Sequence, residues 1–248
     1  MKNLLILNYH AILPIEKGEP IDSFSIRYSH FLEQLDWVEK SKTPIIPLNW
    51  WLKQRDFNEK LVVALTFDDG SESHYQLVFP ELKKRNISAT FFPIVSKIGQ
   101  EGYLNWSQIE EMCENGFEIG SHGFNHKRLV HLSEKHLQEE IVSSKLILHE
   151  KLKQNIQFFS LPFGVSNHQS MLQLKAEYKT ILTTRSILNK CSAPISILHR
   201  FNMKSQMTQR EFEKILHGNT WMLIKKRICS TFSFYYNQFQ AFVHRFHN

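Results

Sequence analysis

Residues 61–70, LVVALTFDDG, constrain the fold of this chain more than any other stretch. Leu61, Val62, Val63, Ala64 and Leu65 form an unbroken apolar run, which reads as a strand covered on both faces, as in a parallel sheet. The run ends in Thr66 and Phe67, then in two adjacent carboxylates, Asp68 and Asp69, stopped by Gly70. Asp-Gly is a common turn dipeptide, and taken alone the pair reads as a surface turn. Two carboxylates at the end of a buried strand are otherwise costly unless a cation or a proton compensates them. The stretch Ser121-His122-Gly123-Phe124-Asn125-His126 decides for this second reading.

The rest of the chain alternates in the same rhythm. Residues 4–8 make a first buried strand that delivers Tyr9 and His10 to its C-terminal end, where a lone histidine is more often structural than chemical. Residues 31–39 read as a helix, 44–48 as a short strand before Trp50 and Trp51, and 74–85 as a helix interrupted at Pro80. A strand at 87–95 and a helix at 107–114 follow, the helix closed by Asn115-Gly116. The strand at 117–120 runs directly into Ser121-His122. Ser133 caps a long amphipathic helix carrying Leu137, Ile141, Leu148 and Leu152. A strand at 156–159 ends in Ser160-Leu161-Pro162-Phe163-Gly164. Then come a helix at 171–178, strands at 180–184 and 195–201, and a capping box from Thr208 to Glu211 that opens a helix closed by Gly218. Strands alternating with helices predict a parallel α/β sheet, open or closed as a barrel. A length of 248 residues allows one large α/β domain or two small ones, and one barrel-like domain needs about this length.

In such folds ligands bind at the carboxyl ends of the strands. Asp68-Asp69, His122, Tyr9-His10 and the 161–164 loop all fall at such ends. His122 and His126, four residues apart, can converge on one cation. With a carboxylate they make a two-histidine, one-carboxylate set, which suits one divalent metal: zinc first, or iron, cobalt or nickel. The open positions take water and substrate, and the second carboxylate is free to act as base on metal-bound water. That is a hydrolase site.

Thr66-Phe67-Asp68-Asp69-Gly70 followed by the Ser121–His126 stretch resembles the first two motifs of the metal-dependent polysaccharide deacetylases, the family-four carbohydrate esterases. The similarity extends to Tyr9-His10, Pro80 and Leu82, Asn105-Trp106, and Leu161-Pro162-Phe163-Gly164. It implies an α/β fold, a distorted, incomplete (β/α) barrel over residues 1–218, that removes N-acetyl groups from an amino-sugar glycan or its precursor. By the same match Asp68 is the general base, and Asp69, His122 and His126 are the metal ligands. Tyr9, Trp106, Pro162 and Phe163 line the substrate. The family's third motif usually begins with an arginine that steadies the base, and here Ser160 stands in its place. Subgroups resembling the poly-N-acetylglucosamine deacetylases also lack that arginine, so the loss points to that subgroup. There a histidine after the first strand serves as general acid, which favours His10 over His199, the late-strand candidate. His199-Arg200-Phe201 also resembles a late-strand pattern whose characteristic residue is Arg200. Two other readings stand beside this one: a deacylase or deformylase of a small or lipid-linked amide, and a sugar-binding pseudoenzyme. An intact base and ligand set argue against the pseudoenzyme.

Charge separates the chain into two parts. Of the formal net charge of +6, five come from Lys214, Lys225, Lys226, Arg227 and Arg245, after the last acid, Glu213. The body is therefore nearly neutral, which argues against nucleic acid as a partner. Residues 219–248 form a basic tail in which Phe232, Tyr235, Phe239, Phe242 and Phe246 recur at helical steps. Such a stripe packs on the body, or lies on anionic lipid as a peripheral membrane contact. Cys113, Cys191 and Cys229 are an odd number at unrelated spacings, which suits a reducing compartment. The apolar run at residues 4–7 is too short for a secretory signal, and no run of about 18 apolar residues occurs. The expected location is cytoplasmic, with the tail at the inner membrane face.

Overall fold

The computed structural model describes residues 2–14, 22–54 and 57–217. The sheet that carries the site has the order β11-β1-β4-β5-β6, built from β1 (Asn3–Tyr9), β4 (Leu61–Asp69), β5 (Thr90–Pro93), β6 (Glu118–Ile119) and β11 (Phe201–Asn202), every pair parallel. β9 (Asn189–Lys190) adds antiparallel to the start of β1. A second parallel sheet has the order β10-β8-β7, from β7 (Phe158–Ser160), β8 (Thr180–Thr183) and β10 (Ile197–His199). A short pair, β2 (Ile12–Leu13) with β3 (Ile26–Arg27), follows β1. The helices are α1 (Tyr28–Lys40), α2 (Leu48–Lys53), α3 (Phe79–Lys84), α4 (Trp106–Glu114), α5 (Glu134–Gln138), α6 (Ser144–Leu152), α7 (His168–Glu177) and α8 (Gln209–Leu216).

Successive strand residues point to opposite faces, and here both faces are buried. Leu5, Leu7, Val63, Leu65 and Phe67 face a core shared with the helices. Leu4, Ile6, Val62 and Ala64 face an inner core with Phe92, Phe158, Leu182 and Leu198, so β1, β4, β5, β7, β8 and β10 all contribute to one interior. This is why residues 61–65 carry no polar position. Among the described residues one β-bridge joins the two sheets, Ser121 with Phe159. Elsewhere they join through the chain itself, β10 and β11 being separated only by Arg200, whose N–H donates to Thr183 O at 3.1 Å. Among the described residues the ladders do not close into one continuous barrel.

Several local expectations are corrected. The strand expected at 44–48 is one bridge, Ile45 with Val63, after which α2 begins. The carboxylate of Glu118 accepts from Leu48 N (3.1 Å) and Asn49 N (2.9 Å) and so caps that helix in place of a local residue. The strand expected at 195–201 breaks at Arg200. Ser133 makes no cap to the backbone, since its hydroxyl meets His136 Nδ1. The helix it precedes runs from Glu134 to Leu152 with a π turn at Glu139–Ser143. Pro80 lacks an N–H, and the chain approaches it through another π turn, His74–Val78. The expected tail, residues 219–248, lies outside the described residues.

Candidate active site

β4 delivers both carboxylates to one place because its last residue leaves the extended conformation. Asp69 has φ of 72° and Gly70 has φ of 77°. Gly70 is required there, since a Cβ would sit 2.9 Å from the Cα and Cβ of Pro93. Adjacent strand side chains would otherwise diverge, but here both reach the same imidazole. His122 Nε2 lies 3.4 Å from Asp69 Oδ1 and 3.9 Å from Asp68 Oδ2. His126, also in the left-handed region with φ of 60°, brings its Nε2 to 3.7 Å from the same Asp69 Oδ1. Non-glycine residues held there store strain, a feature that clusters at functional sites.

Asp69, His122 and His126 each offer a ligand atom, all within 4.8 Å of one another. The chemistry of this set fits a divalent cation. His122 Nδ1 lies 2.9 Å from Ser160 O, which as the N–H donor leaves Nε2 with its lone pair toward the cluster. Asp69 Oδ1 is buried with no hydrogen-bond partner among the described residues, and a cation would satisfy it. Burial pushes the His126 imidazole down to about 4, and the neighbouring His122 adds to this, so the ring is neutral at pH 7. Burial opposes charge on His122 too, but Asp68 and Asp69 together hold it above the ordinary histidine value.

Asp68, 2% exposed, is held by a network that spans the sheet. Arg200, fully buried, donates Nη1 to Oδ1 and Nη2 to Oδ2, both at 2.8 Å. Asn8 Nδ2 donates to Oδ2 at 3.0 Å. Asn8 Oδ1 accepts from Thr66 Oγ1 (2.8 Å) and Arg200 Nη1 (2.7 Å), which fixes the amide's orientation. Burial alone would raise the carboxyl, yet Arg200 first and His122 next hold Asp68 well below the ordinary carboxylate range. Arg200 Nη2 also donates to Ser160 Oγ at 2.7 Å. The guanidinium thus arrives from the β10–β11 break, and Ser160 is small enough to leave it room.

The other candidate residues divide. His10 lies beside the cluster: burial lowers its pKa, while the charges of Asp68 and Asp69 pull it up. Its ring packs on Phe24 (5.0 Å between centres), its Nδ1 is buried without a partner among the described residues, and its carbonyl meets His74 Nε2 at 2.9 Å. His199 instead sits half-buried with Nδ1 at 2.7 Å from Thr183 Oγ1, and its charged neighbour is Arg185 rather than either carboxylate. Tyr9 is a correction: fully buried, its phenol donates to Gln34 Oε1 at 2.9 Å and its ring stacks on Phe67. It is a core residue with no surface for substrate. Trp106 opens α4, and its ring meets Lys151 (5.8 Å). Pro162 is buried against Gly123. Phe163, 50% exposed and at φ of 58°, packs against His126 (4.6 Å between ring centres) with Arg128 over its ring at 4.3 Å.

The sequence profile described as Polysaccharide deacetylase matches residues 55–181, just over half of the chain and both motif stretches. The chain belongs to the polysaccharide deacetylase family. Bacillus subtilis YxkH, whose name assigns it provisionally to the same deacetylases, is 28% identical over 214 residues, covering 84% of this chain and 74% of its own length. The poly-beta-1,6-N-acetyl-D-glucosamine N-deacetylase of Staphylococcus aureus is 26% identical over 197 residues, covering 69% of this chain and 68% of that protein. Among solved structures, the Streptococcus pyogenes deacetylase PplD, in complex with acetate, aligns with a TM-score of 0.77 at 25% identity over 86% of this chain and 97% of its own. These establish a mixed α/β polysaccharide deacetylase fold and a hydrolase.

Proposed function

We propose that this polysaccharide deacetylase is a metal-dependent N-deacetylase that removes acetyl groups from a polymer of N-acetylglucosamine or its precursor. The observation that carries the reading is a buried, arginine-held carboxylate, Asp68, at 3.9 Å from an imidazole of a three-residue cation cluster. We read the two sheets, which share an inner core, as the arcs of a distorted, incomplete (β/α) barrel, with the site at its C-terminal rim. The named activity of the Staphylococcus aureus relative supports the substrate class.

Asp69, His122 and His126 would hold the ion, zinc being the first choice for this donor set. When bound, a divalent ion supplies Lewis acidity to the amide carbonyl and lowers the pKa of water. Asp68 takes the proton of the attacking water. Its carboxylate accepts three hydrogen bonds and so keeps one of its about four acceptor positions free for that proton. Arg200 and Asn8 hold it ionised and oriented. His10 gives a proton to the departing amine. Phe163 buttresses His126, and its exposed edge meets the sugar.

The test is acetate release from β-1,6-linked N-acetylglucosamine oligomers, with metal content measured alongside. Wild type should carry about one divalent ion per chain, and His126→Ala little or none. Equal metal content in the two would remove the ligand assignment. His10→Ala should lower turnover by about 10²–10⁴-fold, whereas His199→Ala should stay near wild type. A worse loss in His199→Ala would transfer the acid role to that residue.

A further inference from the structure

The loop that carries both histidine ligands is held from behind by one buried carboxylate that the mechanism above does not use. Glu140 is fully buried, and among the described residues no Lys or Arg pairs with it. Its Oε2 accepts from Phe124 N (3.1 Å) and Asn125 N (3.0 Å), and its Oε1 also accepts from Asn125 N (3.0 Å). These amides lie between His122 and His126. The contact is close: a Cβ on Gly123, where φ is 80°, would meet Oε2 at 2.7 Å.

Glu140 reaches the loop from the π turn, Glu139–Ser143, in an otherwise α-helical run. A π turn widens the helix and leaves main-chain carbonyls to be satisfied elsewhere. Here hydroxyls satisfy them. Ser144 Oγ donates to Glu140 O (2.7 Å), and Tyr178 Oη donates to Ile141 O (2.8 Å). Ser144 Oγ in turn accepts from Ser121 Oγ (2.9 Å), which accepts from Gly123 N (3.1 Å). The helix therefore grips the loop at both ends of the turn that separates the two ligands. His126 needs that grip because its left-handed φ of 60° is unfavourable for a residue with a side chain.

We infer that Glu140 is a positioning residue for the cation site: it fixes the His122–His126 loop in ligand geometry through the amides of Phe124 and Asn125. This rests on the metal reading above. Charge-assisted bonds from a carboxylate to backbone N–H groups are roughly twice as strong as neutral ones. Glu140→Gln places an N–H where an acceptor stood and removes that charge. Groups that orient metal ligands in this way typically contribute about 10–100-fold to metal affinity.

The experiment is a cobalt(II) titration of metal-free full-length protein, followed by visible absorption, with thermal stability recorded for each variant. Glu140→Gln should bind cobalt about 10–100-fold more weakly and change the shape of the spectrum. Glu118→Gln removes a half-buried carboxylate that also caps backbone amides, but at α2. It should lower Tm yet leave cobalt affinity and spectrum unchanged. Ser144→Ala keeps Glu140 and loosens the same grip from the helix side, with an expected weakening of about 2–10-fold. Folded Glu140→Gln with wild-type affinity overturns the inference. Should Glu140→Gln not fold, unchanged affinity in Ser144→Ala overturns it instead. Wild type that takes up no cobalt fails the metal reading, a result distinct from either.

Discussion

Asp68→Asn should retain about one metal per chain while losing about 10²–10⁴-fold in turnover, the range for a positioned acid or base. The carboxamide is nearly isosteric, so Asn8 and Arg200 keep something to pack against, but its oxygen is too weakly basic to take the proton of water. Asp69, His122 and His126 are untouched, and their mutual approach within 4.8 Å does not depend on Asp68. The variant also leaves Arg200 buried without its carboxylate partner, so a lower Tm should accompany the kinetic loss. Folding is therefore checked first, and metal content and acetate release are then measured on the same preparation. Loss of the metal together with turnover would make Asp68 a ligand and reverse its role with Asp69.

What the sequence discloses here depends on how locally each feature is encoded. The strand at 61–69 is legible because burial on both faces leaves an unbroken apolar run, and its carboxylates become legible once the His122–His126 stretch sets aside the surface-turn reading. The His122–His126 pair is legible by spacing, and the family match follows from those two stretches. Arg200 is visible as a pattern but not as a partner. Its contact with Asp68 spans 132 positions, and no local periodicity reports that the strand at 195–201 breaks to turn a guanidinium inward. Asn8 is hidden in the same way, a single polar residue at the end of the apolar run Leu4–Leu7. Glu140 reads as one more acid on an amphipathic helix, because a π turn leaves no mark in the heptad. Tyr9 misleads for the opposite reason. It precedes a site residue in sequence, but strand alternation sends its ring to the helix-side core while His10 goes to the rim.

The relocated arginine yields the prediction that separates this site from a merely packed core. In wild type, Arg200 holds the folded-state pKa of Asp68 below the 3.8 of an ordinary aspartate. Its stabilisation is thus complete above that value and is withdrawn only as pH falls below it. Arg200→Met removes the charge and both bonds but keeps most of the volume. Burial then acts on Asp68 against only His122, His10 and Asn8, and the expected result is a folded-state pKa above 3.8, so the sign reverses. As pH rises from 3.8 toward the new value, the unfolded chain ionises and the folded one does not, and stability falls. The Tm difference between wild type and Arg200→Met, measured without metal, should already be present at pH 4 and widen toward neutrality. There the cost of a broken buried pair is about 3–5 kcal/mol. In the metal-loaded enzyme, the acid limb of the rate profile should shift to higher pH, because the base now holds its proton longer. Arg200→Lys, which keeps a charge but loses the two-pronged contact, should fall between the two. A Tm difference that is the same at pH 4 and pH 7 would make Arg200 a packing residue, and the steadying of the base would then have to come from His122 and Asn8.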